Sequence, residues 1–260
     1  MLFRRTTGLN LACRGRRKLR SSRDGDLRAG SRRLGRGWYW CRTARLLRAA
    51  GHDVLTPTLT GLGERKHLLT PSVGLETHIQ DILQVLRHER LSQVVLVGHS
   101  YGGMVVSGVA DAAADRIRSL IYLDAALPES GQTMLDFVLP ARRAQFLESA
   151  RTEGDGWKVP PLRAAQWGID EPADQEWLDS LFGFHPLKAF TDPIQLSGRH
   201  LSVEHKVFIL AARYNPSPFQ QFAERTRPDP AWTNYELPTF HFTMVQLPNE
   251  TAEVLLRHAA

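Results

Sequence analysis

The feature that most constrains this chain is the pentapeptide Gly98-His99-Ser100-Tyr101-Gly102. It stands directly between an apolar run, 93–97 (QVVLV), and a run of small and apolar residues, 103–114 (GMVVSGVADAAA). A short run that is β-branched and apolar at nearly every position reads as a strand buried on both faces of a parallel sheet. The small-residue run reads as the helix that follows it. In this strand–turn–helix context a Gly-x-Ser-x-Gly pattern carries chemistry: a strained turn thrusts the Ser100 hydroxyl above the sheet, and the Tyr101 backbone N–H, at the helix N-terminus, points toward a developing oxyanion. Side chains two residues either side of the serine are expected to collide with neighbouring elements, which accounts for Gly98 and Gly102. His99 sits beside the serine with its side chain leaving in another direction. Without chemistry, the same residues would be a tight turn kept for packing.

The rest of the chain supports a doubly wound α/β sheet. Residues 43–50 (TARLLRAA) are dense in helix formers and Gly51 follows as a stop. A short strand ending at Pro57 comes next, and then a helix near 77–88 in which Ile79, Ile82, Leu83 and Leu86 share one face. Residues 118–123 (RSLIYL), 206–211 (KVFILA) and 234–237 (NYEL) continue the strands, and 249–258 reads as a terminal helix. Strands alternating with helices imply a mostly parallel sheet with right-handed crossovers. Residues 128–198 break the pattern with mixed helical pieces and scattered rings, among them Trp157, Trp167, Trp177, Phe182 and Phe184. An excursion between two core strands, near their C-terminal ends, is expected to form a helical lid.

A serine hydroxyl needs a base, and in this topology the base comes last, on a loop after the final strand. His241 occupies that place. His258 falls in the terminal helix, and His185, His200 and His205 lie in or beside the excursion. The acid that orients the imidazole is usually found after the strand preceding the histidine's, but residues 212–217 (ARYNPS) hold no carboxylate. Asp124, at the tip of RSLIYLD, is the choice, with Asp229 and Glu204 as rivals.

Composition sets the boundaries. A chain of 260 residues with 42% hydrophobic content fits one domain with an excursion. No apolar run reaches the ~20 residues of a membrane span. Cys13 and Cys41 match no metal-ligand spacing, so no metal site or disulfide framework is implied and a reducing cytoplasm is the default. The net charge of +6 could suggest nucleic acid, but residues 1–36 hold twelve Lys/Arg against Asp24 and Asp26, leaving 21 basic and 25 acidic residues in the remainder. The basicity belongs to a leader, residues 1–36, expected to be a disordered or aberrant extension, and no nucleic-acid partner is assigned.

With these residues placed, LLRAAGHDVLTPTLTGLGER, VVLVGHSYGGMV, IYLDAALPESGQ and the tail around His241 resemble the bacterial α/β-hydrolases related to salicylate and pyrethroid esterases and to plant hydroxynitrile lyases. The resemblance covers residue 37 to the end. It implies a cofactor-free enzyme acting on small-molecule esters of aromatic or hydrophobic acids or alcohols, and it leaves room for a homodimer. Two departures stand out. The family's Gly-His-Asp is here Phe240-His241-Phe242. The family also opens with a buried apolar strand and a His-Gly motif that supplies the second oxyanion donor, where this chain has 26–35, DLRAGSRRLG. Buried, unpaired arginines cannot make a central strand, so the first core strand is expected to be missing. A single-base shift in a permitted codon series turns that segment into Thr-Phe-Val-Leu-Val-His-Gly-Ala-Trp, which makes a frameshift a hypothesis that sequencing the coding DNA decides. Two alternatives to an esterase stay open. A hydroxynitrile lyase would need a pocket cation, with Lys188 and Lys206 nearest in order; a ligand-binding homologue would have lost catalysis.

Overall fold

The computed structural model describes residues 1–5 and 37–259. In chain order the elements before the excursion are β1 (Leu2–Arg5), α1 (Cys41–Ala49), β2 (His52–Leu55), α2 (Leu75–His88), β3 (Val94–Ser100), α3 (Gly102–Ala113) and β4 (Ile117–Ala125). The excursion carries α4 (Pro140–Glu153), β5 (Lys158–Val159), α5 (Pro172–Leu181), β6 (His185–Pro186) and α6 (Leu187–Thr191). The chain then closes with β7 (His205–Ala211), α7 (Gln220–Thr226), β8 (Trp232–Leu237), α8 (Thr243–Gln246) and α9 (Pro248–Leu256).

Six strands form one sheet in the order β2-β1-β3-β4-β7-β8, and β3, β4, β7 and β8 run parallel to one another. β3, β4 and β7 are mostly apolar at successive positions because both faces are covered, whereas the edge strand β8 interleaves polar residues and is half-exposed. Leu96, Leu120, Tyr122, Phe208 and Leu210 pack on the side of α2 and α3, where Ile79, Ile82, Leu86, Met104 and Val109 meet them. Val95, Val97, Ile121, Leu123, Val207 and Ile209 face the other way, toward Leu47 of α1 and Val254 and Leu255 of α9. Gly51, at φ +88°, ends α1 as its composition foretells. The effect of this layering is that the C-terminal ends of β3 and β4 and the loop after β8 open on one edge of the sheet, the expected place for a site in an open α/β sheet.

The amino-terminal expectation needs correcting in one respect. Residues 2–5, assigned by their charge to a disordered leader, form β1 and occupy the slot between β2 and β3. Leu2 and Phe3 are buried, pairing antiparallel with Leu55 and Val54 on one side and with Leu96 and Val95 on the other. Two apolar residues are enough to fill that slot because Arg4 and Arg5, pairing only with β2, reach toward solvent at its end. The remainder of the leader, and with it the segment 26–35 on which the frameshift hypothesis and the second oxyanion donor rest, lies outside the described residues.

Candidate active site

Ser100 ends β3 with φ +56°, in the left-handed region that a serine adopts only at a cost. The surrounding turn enforces it. A side chain at Gly98 would place its Cβ 2.6 Å from both the Gly102 carbonyl oxygen and Val106 Cγ2. The collision expected at Gly102 is absent, since nothing lies within 4 Å of a Cβ built there. The crowded position is Gly103, where a Cβ would fall 1.9 Å from the Ala126 carbonyl oxygen. Helix α3 abuts the end of β4 one residue later than the motif suggests. Tyr101 caps α3, so its backbone stands at the helix N-terminus.

Asp124, at the C-terminal end of β4, also has a positive φ, +42°. Its Oδ2 lies 2.6 Å from His241 Nδ1, and its Oδ1 accepts the Ala211 N–H at 3.3 Å. The two side chains are almost fully sealed, at 0% and 1% exposure. Burial disfavours charge on either group. It holds the imidazole down to about 3 and pushes the Asp124 carboxyl up to about 7, the latter resisted by the Ala211 N–H and by His99. His99 does more than neighbour the serine: its Nε2–H donates to the His241 carbonyl at 2.9 Å, which braces the loop that carries the imidazole. Trp167 and Phe219 stack against the His241 ring at centroid distances of 5.0 and 5.5 Å.

Phe240, the departure from Gly-His-Asp, is accommodated without displacing His241 from Asp124. Its ring lies against Gly168, where a Cβ would be 2.4 Å away, and under the Arg213 guanidinium at 4.6 Å. The rivals are elsewhere: Asp229 accepts the Ala231 N–H, and Glu204 lies beside His205. His200 is paired with Asp111 and His258 with the Tyr235 hydroxyl. Lys188 is paired with Asp192, while Lys206 donates to the Leu201 and Val203 carbonyls. Neither lysine lines the cavity described next; exposed Lys66 does.

Ser100 and His241 open on one cavity of about 340 Å³. Among the described residues the serine hydroxyl makes no hydrogen bond, so the two groups share the cavity without being joined. Its walls are largely apolar and carry several aromatic rings, Trp38 and Tyr39 from the segment before α1 and Phe146, Trp167, Phe184 and Phe190 from the excursion. Sequence reasoning missed His78, which is fully buried on α2 and bonded to the Tyr101 hydroxyl at 2.9 Å. The available signal was a histidine next to Ile79 on the helix's apolar side.

The chain belongs to the alpha/beta hydrolase family, whose model matches residues 29–254. It is 41% identical over 227 residues to a carbendazim hydrolyzing esterase of Nocardioides sp. (strain SG-4G), a match spanning 84% of this chain and 93% of that protein. A pyrethroid hydrolase of Sphingobium wenxiniae is 37% identical over 109 residues, 41% of this chain and 38% of that protein. In fold, the chain is similar to an extracellular alpha/beta-hydrolase from a Paenibacillus species, with a TM-score of 0.75 at 20% identity, covering 85% of this chain and 93% of that one. It is an esterase-type member of its family.

Proposed function

We propose that the chain hydrolyses carboxylic esters of hydrophobic or aromatic small molecules through an acyl-enzyme on Ser100. The observation that carries this reading is the sealed hydrogen bond between His241 and Asp124, placed on the same cavity as a serine held in a strained turn. Ser100 Oγ attacks the ester carbonyl and His241 takes its proton. Asp124 holds the imidazole with its proton on Nδ1, which leaves Nε2 as the base, and stabilises the imidazolium that forms. The Tyr101 backbone N–H receives the oxyanion. Collapse of the tetrahedral intermediate expels the alcohol, which takes the proton back from His241. Water, activated by the same imidazole, then releases the acid and restores Ser100. Apolar walls with several aromatic rings suit a substrate with an apolar ring, in line with the names of the carbendazim and pyrethroid relatives.

The test is covalent labelling. A fluorophosphonate probe is expected to modify Ser100, and the protein to turn over p-nitrophenyl esters, both being lost in Ser100→Ala. A folded protein that neither labels nor turns over these esters would sink the proposal.

A further inference from the structure

The cavity is walled mostly by carbon, so the hydrogen-bonding role of each polar atom that opens on it has consequences for what can bind. On the wall shared by the serine turn and the excursion those roles are fixed. His78 Nε2 lies 2.9 Å from the Thr60 carbonyl. A carbonyl only accepts, so His78 carries its proton on Nε2 and Nδ1 is a bare lone pair. That lone pair is 2.9 Å from the Tyr101 hydroxyl, which therefore donates to it. Thr60 is itself pinned by Asp81, which accepts its N–H at 2.6 Å and its hydroxyl at 2.8 Å. Burial lowers the His78 pKa, which works against a second proton. The Tyr101 oxygen is left with lone pairs alone.

His185, on β6, meets the Tyr101 ring edge-on at a centroid distance of 4.9 Å and stacks on Phe190 at 4.3 Å. Its Nδ1 lies 3.2 Å from the Pro186 carbonyl and so carries the ring proton. Burial holds the ring neutral, with a pKa of about 3. Nε2 is then another bare lone pair, with no hydrogen-bond partner among the described residues. It is not one of the sealed, unpartnered atoms, which are His52 Nδ1, Arg118 Nε, Thr243 Oγ1 and Thr251 Oγ1. It is therefore not sealed, and His185 is one of the residues that line the cavity.

We propose that His185 Nε2, on a wall where the Tyr101 hydroxyl has no free proton to offer, forms an acceptor-only recognition site that selects substrates bearing an N–H or O–H donor on their aromatic part. The proposal deepens the esterase reading and rests on it for the word substrate. A ligand that presents only acceptors leaves these lone pairs desolvated and unpaired, whereas a donor satisfies one of them, a difference of about tenfold in affinity.

Three bicyclic probes of similar shape separate the cases: indole, which donates one N–H; 1-methylindole, which does not; and quinoline, which only accepts. Calorimetric titration of the wild type and of Ser100→Ala is expected to give indole a Kd about tenfold below the other two in both proteins. His185→Phe keeps the stack on Phe190 and is expected to bring the three within about twofold. Equal affinities in the wild type, or a tenfold preference retained in His185→Phe, would overturn the proposal. Should that variant not fold, His185→Gln, whose amide adds a donor, must raise quinoline affinity relative to indole; an unchanged ratio overturns the proposal equally. Binding to Ser100→Ala needs no turnover, so failure of the recognition site and failure of the esterase reading are seen separately.

Discussion

Two parts of one sheet are held by different means. Where β3, β4 and β7 end, each residue answers to several neighbours: Asp124 is fixed by the Ala211 N–H and by His241, and the His241 loop by His99, Trp167 and Phe219. On the other side of β3, the sheet rests on β1, where only Leu2 and Phe3, with Met1 bonded to Val97 just before them, are joined to β3. The contrast shows that this fold can keep the geometry of its site while one interior strand is reduced to four residues, because the site's constraints converge from β4, β7 and the chain after β8 rather than from the strand beside β2.

The largest expected effect follows from the over-determined side. If Asp124 serves to orient and charge-balance the imidazole, Asp124→Asn should lower kcat by about 10⁴-fold with the fold intact. The pH dependence sharpens this. In the wild type the raised Asp124 carboxyl takes up a proton as pH falls through about 7, so kcat/KM should decline below that point. The asparagine variant has no carboxyl to protonate, and its imidazole, already held to about 3 by burial, loses the anion that favours its charged form; the acid limb should move well below 7. An unshifted limb, or a loss under tenfold, would separate Asp124 from the chemistry.

A smaller effect tests the other side. Phe208 on β7 and Phe3 on β1 are both buried, at 0% and 1% exposure. Both are flanked by paired strands, but Phe208 stands in the middle of the seven-residue β7, and Phe208→Ala should cost about 4 kcal/mol in urea unfolding. Around Phe3 the short strand can close over the lost volume, and Phe3→Ala should cost about 2 kcal/mol. Equal losses would mean that β1 is as firmly integrated as β7 and would break the comparison.

The same asymmetry explains what could be read from the amino acids. Residues 94–97 and 120–123 carry uninterrupted apolar runs because two helical layers cover them, so their strands are visible without coordinates. Asp124 could be chosen although 212–217 lack a carboxylate, since a carboxylate at the tip of the strand 118–123 can also reach the imidazole in this topology. β1 was hidden because two apolar residues followed by arginines carry no periodicity, and only the vacancy between β2 and β3 gives them a role. His78 and His185 were hidden for another reason. Their roles are set by which carbonyl lies opposite each ring nitrogen, and that is tertiary information. The notch at Gly168 that receives Phe240 is of the same kind: a glycine 72 positions upstream decides whether a large residue beside His241 is tolerated.

The smallest effect asks where the crowding at the serine turn stops. The motif reading places the second close approach at Gly102, whereas the structure places it at Gly103, against the Ala126 carbonyl, and leaves open space at 102. Gly102 is the first residue of α3 and is not among the positive-φ residues, so an alanine there meets neither a clash nor a strained backbone. It would also narrow the conformations of the unfolded chain. Gly102→Ala should therefore raise stability by about 0.5–1 kcal/mol, read as an increased urea midpoint at unchanged slope. A drop in that midpoint would restore Gly102 as a packing glycine and show that α3 sits closer to the end of β3 than the distances around Gly98 and Gly103 indicate.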